Sequence, residues 1–460
     1  MKIDVIILAA GKGTRMKSST PKVLNKLANK PLLQHVIDTC ALLKNAKLHI
    51  VLGNEKNLIK ASVKAPKSTN WISQKNQLGT GHAVKQALSS LRPGATTLIM
   101  YGDVPLVSLS TLNKLISIKK NQLGLLTFVA ENPKGYGRIV KEKNKVVAIV
   151  EEKDATKKEK EISEVNSGII ATSAKDLKQL IPLIKNKNSS KEYYLTDIVG
   201  LAVKEKIFVK TIQPSSVSEV LGANSPEELY ELKKAYNKIS ANALVSKAVK
   251  FADIDRLDFR GEIKIGSNTF IDVNVIFEGE VNIGKNCFIG AGSIIKDSVI
   301  QDGVVVESNS LIENSLIGSL CKIGPFAHIG PEAKLESKVE IGNFVEVKRS
   351  KIGKNTKAKH LAYIGDGEIG DNPPVLARLE LLYFPLSLND HPQRWSLHAS
   401  DTCYVTCSRA VKTFSHSARA IYADQPICFG SGCSCLGQMR HFFAIAKIIE
   451  GFSNSRRCHR

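Results

Sequence analysis

A six-residue period that begins at Ile265 constrains this chain more than any other feature. Ile265, Ile271, Phe277, Ile283, Ile289 and Ile295 follow one another at intervals of six. After a shift of register, Leu311, Ile317, Ile323, Ile329, Leu335, Ile341 and Val347 resume the spacing. Glycine follows many of them, at Gly266, Gly284, Gly290, Gly318, Gly324, Gly330 and Gly342. A hexapeptide repeat of this kind marks a parallel β-helix, in which each apolar residue fills the interior of a triangular coil. Such coils stack on their neighbours and need caps, so a truncated one is expected to expose an unpaired edge.

Residues 1–220 have a different rhythm. Short apolar runs ("VIILAAG", "LHIVLG", "TLIMYGD", "LGLLTFVA") alternate with helical patterns. Strands alternating with helices imply an α/β domain built on a mostly parallel, doubly wound sheet. The stretch "NSPEELYELKKAYNKISANALVSKAVKF", residues 224–251, then reads as one long connecting helix. Ser225 suits its N-cap and Pro226 its first helical position. The expected organisation is an α/β domain over 1–223, a linker helix over 224–250, an incomplete coil over 251–372 and an aberrant tail over 373–460.

A chain of 460 residues buries large cores without disulfides. No run of eighteen apolar residues occurs, so no membrane span is expected. The start, "MKIDVIILAAGKG", lacks a small-residue cleavage site and reads as a first strand, which points to the cytoplasm. The net charge of +22 raises nucleic acid as a partner. The lysines are scattered and no basic run carries interleaved aromatics, which favours a solvated surface on an enzyme with anionic substrates and no nucleic-acid partner.

Composition changes near residue 372. Residues 1–370 hold 6 of the 14 arginines but 49 of the 51 lysines, and 3 of the 9 cysteines. Three readings of the tail follow. A separate zinc domain is suggested by "CYVTC" and "CFGSGCSC", but these contain no paired C-x₂-C. A disordered tail conflicts with the apolar "VLARLELLYFPLSL". A shifted reading frame explains why composition and periodicity change together in mid-motif; the coding DNA read one nucleotide out of frame after codon 372 should then restore the repeat.

The first loop, "LAAGKGTRMKSSTPKVL", follows a strand, so amides at Gly11 and Gly13 can approach phosphate oxygens. Met16 stands where a Rossmann loop has its third glycine, and no G-K-[ST] closes a Walker A loop. With "PKVL", "QLGTGHA", "YGDVP", "GYGRI", "EEKDA", "VNSGI", "YYLTD" and "GANS" in order, the chain up to about Asn372 resembles the sugar-nucleotide pyrophosphorylases. Within them it resembles the bacterial bifunctional UDP-N-acetylglucosamine pyrophosphorylase/glucosamine-1-phosphate N-acetyltransferase family.

The resemblance implies a Rossmann-like, mostly parallel nucleotidyltransferase domain, a linker helix and a left-handed parallel β-helix. It implies a homotrimer and a place in making peptidoglycan and lipopolysaccharide precursors. In the implied first reaction, the phosphate oxygen of N-acetylglucosamine-1-phosphate attacks the α-phosphorus of UTP, giving UDP-N-acetylglucosamine and pyrophosphate. Such chemistry needs positioning and charge neutralisation. By the resemblance, Leu8, Ala9, Ala10 and Gly11 line the nucleotide site and Arg15 and Lys22 act on the phosphates. Gln74, Gly79 and Thr80 recognise uracil. Tyr101, Gly102 and Asp103 of "YGDVP" end a strand at the edge where open α/β sheets bind ligands. Asp103 and Asn224 hold Mg²⁺, which prefers oxygen ligands. Gly137, Glu151, Asn166, Tyr194 and Thr196 surround the sugar. Taken singly, Asp103 suits a turn, Asn224 a helix start and Glu151 a solvated surface.

The implied second reaction is acetyl transfer from acetyl-CoA to glucosamine-1-phosphate. His360 is its general base, Lys348 binds the sugar phosphate and Tyr363 orients the sugar. Alone, His360 has the alternative reading of an exposed coil histidine. Two departures weaken this half. Gly330 stands where the family has an arginine on the sugar phosphate, a charge-assisted contact worth roughly 1.5–3 kcal/mol. Pro374 replaces a sugar-binding asparagine and removes a ladder donor. A nucleotidyltransferase for another sugar phosphate, and a non-catalytic β-helix scaffold, are the competing readings.

Overall fold

The strand Ile3–Ala9 is buried along its whole length, because helices cover both faces of the sheet it centres. Its residues alternate between two cores: Ile3, Val5, Ile7 and Ala9 enter one, Ile6 and Leu8 the other. The first core includes Leu33, Val36, Ile37 and Cys40 of the helix Leu32–Ala41. The second includes Ala83, Val84 and Ala87 of Thr80–Ala87 and Ile198, Val199 and Ala202 of Asp197–Lys204. Their i, i+3, i+4 spacing is what gives each helix its single apolar stripe. The computed structural model describes residues 1–373 except 12 and 17–19, together with the backbone strands Trp395–His398 and Tyr404–Cys407.

Ile3–Ala9 pairs in parallel with Ala46–Leu52 and Thr96–Tyr101. Asn70–Ser73 extends the sheet in parallel on one side. On the other, Glu164–Ser173 runs antiparallel between Thr96–Tyr101 and Gln122–Val129, and Phe208–Ile212 follows in parallel. The result is the mostly parallel α/β sheet anticipated from the alternating pattern. Its parallel strands all end on the side that carries Ala10, Gly53 and Gly102.

The connecting helix runs over Pro226–Val245 and not on to residue 251. Ser225 caps it by accepting from Glu228 N, and Pro226 takes the first position. The chain then turns at Ala248, whose φ is +63°, and Lys250–Phe251 becomes a strand pairing with Phe270–Ile271. The sheet partner competes successfully with the helical pattern. Asn237 on the helix accepts from Phe259 N at 3.1 Å and donates to Leu257 O at 3.2 Å, closing the first end of the coil.

From Phe270 onward, short parallel strands stack in three columns, forming the expected parallel β-helix. Its interior is a single stack that includes Ile271, Phe277, Ile289, Ile295, Ile323, Ile329 and Val347. One repeat residue is corrected. Leu311 is half-buried, and it is Ile312 that points inward with no exposed surface. The repeat is cut from six residues to five at one corner, between Ile295 and Ile300 and again between Ile312 and Ile317, where Asp297 and Asn314 have φ of +43° and +44°. A six-residue count carried across a five-residue corner therefore lands one position early.

On one column the coil edge is paired, not open. Gly367–Ile369 pairs in parallel with Trp395–His398, which forms an antiparallel hairpin with Tyr404–Cys407. The tail readings concerning its cysteines, its reading frame and Pro374 otherwise lie outside the described residues.

Candidate active site

The carboxyl edge of the central sheet brings together residues far apart in sequence. Gly102 N donates to Leu8 O at 2.9 Å, binding "YGD" to the end of the first strand. Leu8, Ala9 and Ala10 are buried behind it, and Gly11 emerges into solvent. Pro21 leads into the short helix Lys22–Leu24, whose Val23 and Leu24 pack into the core and leave Lys22 facing the site. Lys22 Nζ forms an ion pair with Asp103 Oδ2. It also donates to Asn224 Oδ1 at 2.6 Å, and Arg15 reaches the same oxygen at 3.1 Å.

The donor set tests the magnesium expectation directly. Oxygens of Asp103 and Asn224 converge on one ammonium, so both lie within reach of one cation. Among the described residues no group of three or more His, Cys, Asp or Glu could hold a metal. One carboxylate and one amide suit Mg²⁺, which keeps several waters and shares substrate phosphates instead of entering an all-protein cage. The residues present fit the ion.

Gln74, Gly79 and Thr80 lie together at the start of the helix Thr80–Ala87. Gln74 is buried and donates to Gly79 O at 3.2 Å. Its amide also meets His82 Nδ1 at 3.0 Å. Gly79 has φ of +113°, and a Cβ there would sit 2.6 Å from Tyr193 O. Thr80 Oγ1 accepts from Leu195 N at 3.0 Å, and Gly81 N donates to Tyr193 O at 2.8 Å. The "QLGTGHA" loop is thereby fastened to "YYLTD".

On the opposite flank, Thr196 Oγ1 donates to Glu151 Oε1 at 2.8 Å. Burial raises the Glu151 pKa, the Thr196 hydroxyl opposes the rise and Asp154 adds to it. Burial likewise raises Asp197, with Glu151 and Asp154 reinforcing it. Tyr194 is raised by burial while Ser190 opposes. Tyr101 lies between the flanks; burial pushes its phenol far up, and the charge of Glu151 adds to the shift. Asn166 N donates to Gly137 O at 2.9 Å, and its Oδ1 accepts from Gly168 N at 2.9 Å. Lys22 and Arg15 thus meet Asp103 and Asn224 on one flank, while Glu151 and Thr196 pair on the other.

Three contributors went unnoticed in the sequence. Gln77 donates through Nε2 to Ala10 O, holding the start of the first loop. Arg138 is almost fully buried and pairs with Glu152 at 2.6 Å, while Glu152 also accepts from Gly135 N at 3.2 Å. That pair sets the "GYGR" turn, and only the adjacency of "GYGRI" to a strand hinted at it. Glu228 accepts from both the backbone and the side-chain nitrogen of Asn224.

In the coil, Glu346–Lys348 pairs with Tyr363–Gly365, so Lys348 and Tyr363 occupy adjacent turns. His360 ends the strand Lys357–His360, opposite Asn343, and is exposed. Gly330 has φ of +121°, and a Cβ on it would lie 1.9 Å from Glu313 O. With this backbone the position accepts no side chain, so an arginine there would require the loop before Pro331 to be rebuilt.

Residues 5–164 match the MobA-like NTP transferase domain, and residues 259–329 match the GMPPB C-terminal domain. The bifunctional protein GlmU of Marinobacter nauticus is 45% identical over 375 residues, covering 81% of this chain and 82% of that protein. Its counterpart in Idiomarina loihiensis is 44% identical over 373 residues, with coverage of 81% and 82%. The chain belongs to the GlmU family. As a GlmU-family protein with an NTP transferase domain, it is a nucleotidyltransferase. Among the described residues, no helix is long and apolar enough to cross a membrane.

Proposed function

We propose that this GlmU-family chain transfers UMP from UTP to N-acetylglucosamine-1-phosphate, giving UDP-N-acetylglucosamine and pyrophosphate in the cytoplasm, and so feeds cell-wall synthesis. The observation that carries the reading is the convergence of Lys22, Arg15, Asp103 and Asn224 at the carboxyl edge of the sheet. An oxygen of the sugar phosphate forms a bond to the α-phosphorus of UTP, and the bond to the pyrophosphate oxygen breaks. Arg15 and Lys22 neutralise the charge that gathers on the leaving phosphates. Asp103 and Asn224 would hold Mg²⁺, which supplies further neutralisation when bound. Gln74, Gly79 and Thr80 select uracil, while Gly137, Glu151, Asn166, Tyr194 and Thr196 orient the sugar, so that the two reactants meet as a pre-positioned pair.

For the coil we propose an impaired acetyltransferase. His360, Lys348 and Tyr363 supply the base and part of the sugar site, but Gly330 leaves no room for a phosphate-binding side chain. The family's homotrimer packs through the coil and its C-terminal turns, so it is weakened if the tail beyond residue 372 is aberrant. The deciding experiment measures both half-reactions on one purified chain. Pyrophosphate release should require UTP, Mg²⁺ and N-acetylglucosamine-1-phosphate, and should fail in Asp103→Ala. Thiol release from acetyl-CoA with glucosamine-1-phosphate should be slight. Equal turnover with another sugar-1-phosphate, or full activity in Asp103→Ala, would overturn the first reading; rapid thiol release would overturn the second.

A further inference from the structure

Glu228 stands three residues after Ser225, the N-cap of the helix Pro226–Val245, which is the spacing of a capping box. In that motif the carboxylate returns to the N-cap's own backbone N–H, as Glu159 does to Thr156 at 2.8 Å in this same chain. Glu228 behaves differently. Its Oε2 passes the N-cap and accepts from Asn224 N at 2.6 Å and from Asn224 Nδ2 at 2.9 Å. Ser225 still caps the helix by accepting from Glu228 N. The carboxylate is therefore committed to Asn224.

An amide side chain is nearly symmetric in shape and has opposite polarity at its two ends. A carboxylate on one side and two cations on the other admit only one orientation. Nδ2 faces Glu228, and Oδ1 faces Lys22 at 2.6 Å and Arg15 at 3.1 Å. The flipped amide would place Nδ2 against both cations and Oδ1 against the carboxylate.

We infer that Glu228 is a positioning residue for the metal site: it fixes the polarity of the Asn224 amide so that an oxygen is always offered to the cation. The inference rests on the proposed Mg²⁺-dependent reaction. It names a hydrogen-bonded carboxylate behind a metal ligand, an arrangement whose loss typically weakens metal affinity or activity about 10–100-fold. A carboxylate that served only as a helix cap would contribute to stability and leave metal affinity alone.

The test uses the full chain with Glu228→Ala, Glu228→Gln and Asp103→Ala. Mn²⁺ binding in the presence of UTP is read by electron paramagnetic resonance without turnover, alongside the Mg²⁺ half-saturation for pyrophosphate release and metal-free melting. Glu228→Ala should weaken Mn²⁺ binding and raise the Mg²⁺ half-saturation by about tenfold, with kcat near wild type at saturating Mg²⁺. Glu228→Gln retains an acceptor but tolerates either amide orientation, so it should recover melting and only part of the affinity. Wild-type Mn²⁺ affinity in both folded Glu228 variants, or a kcat loss that no Mg²⁺ concentration restores, overturns the inference. If Asp103→Ala weakens Mn²⁺ binding while the Glu228 variants do not, only the inference falls. If Asp103→Ala also leaves Mn²⁺ binding unchanged, the metal assignment falls and takes the inference with it.

Discussion

Replacing Gly79 by alanine should damage the protein by two separable routes. Gly79 has φ of +113° and ψ of 172°, a region that side-chain-bearing residues adopt at a cost of about 1–3 kcal/mol. The new Cβ would also lie 2.6 Å from Tyr193 O and 2.8 Å from Tyr193 N, both backbone atoms that cannot swing aside. Those atoms bond Gly81 N and Leu78 O, each at 2.8 Å, so relief of the overlap weakens the ties between the two loops. Weakening one such bond costs about 1 kcal/mol. Together with strain near the middle of its range, the total is roughly 3 kcal/mol, or about 6–12 °C in the melting of a domain of this size. Tyr194 and Thr196 move with Tyr193, so kcat/KM should fall roughly tenfold to a hundredfold. Gly94→Ala supplies the control, because Gly94 has φ of +72° but open space around its Cβ position. It should lose about 1 kcal/mol and keep its kinetics. Pyrophosphate release at varied UTP and thermal melts of both variants decide the matter. A Gly79→Ala protein that melts and turns over like Gly94→Ala would refute the argument from steric overlap.

Lys22→Ala removes the ammonium shared by Asp103 and Asn224 and should lower kcat by roughly 10²–10³-fold, with Lys22→Arg recovering only part, in steady-state pyrophosphate release. Thr196→Val removes the donor that opposes the raised Glu151 pKa, so the acid limb of the pH–rate profile should move to higher pH. The sign for stability follows from linkage: a raised carboxylate supports folding while protonated, and that support is lost as pH rises through its folded pKa. Urea midpoints of Thr196→Val should therefore fall further at neutral pH than below the ordinary glutamate range. Ile323→Ala opens a cavity in the coil between Val306 and Ile341 and should cost about 2–5 kcal/mol in the coil's transition while uridylyl transfer persists; a change confined to the first domain would contradict this.

Much of the architecture was legible in the chain itself, because periodicity is a local record of which residues face inward. The apolar run "VIILAAG" reads as a strand of a doubly wound sheet, and the six-residue spacing reads as the coil. The candidate residues were legible as ordered motifs, but their partners were not. Lys22 and Asn224 are 202 positions apart, and nothing local states that they share a hydrogen bond. The same limit explains Leu311, where a single shortened corner shifted the count, and the helix end at Val245, where a strand partner overrode a helical pattern. The sequence by itself determined the two fold types, their order and the motifs that supply the candidate site residues. Only the tertiary structure decided that Gly79 presses on Tyr193, that Gly330 has no room for a side chain, and that Glu228 bypasses its own helix cap to hold Asn224. These are contacts between segments brought together by chain closure, and their distances and polarity exist only once both segments are packed.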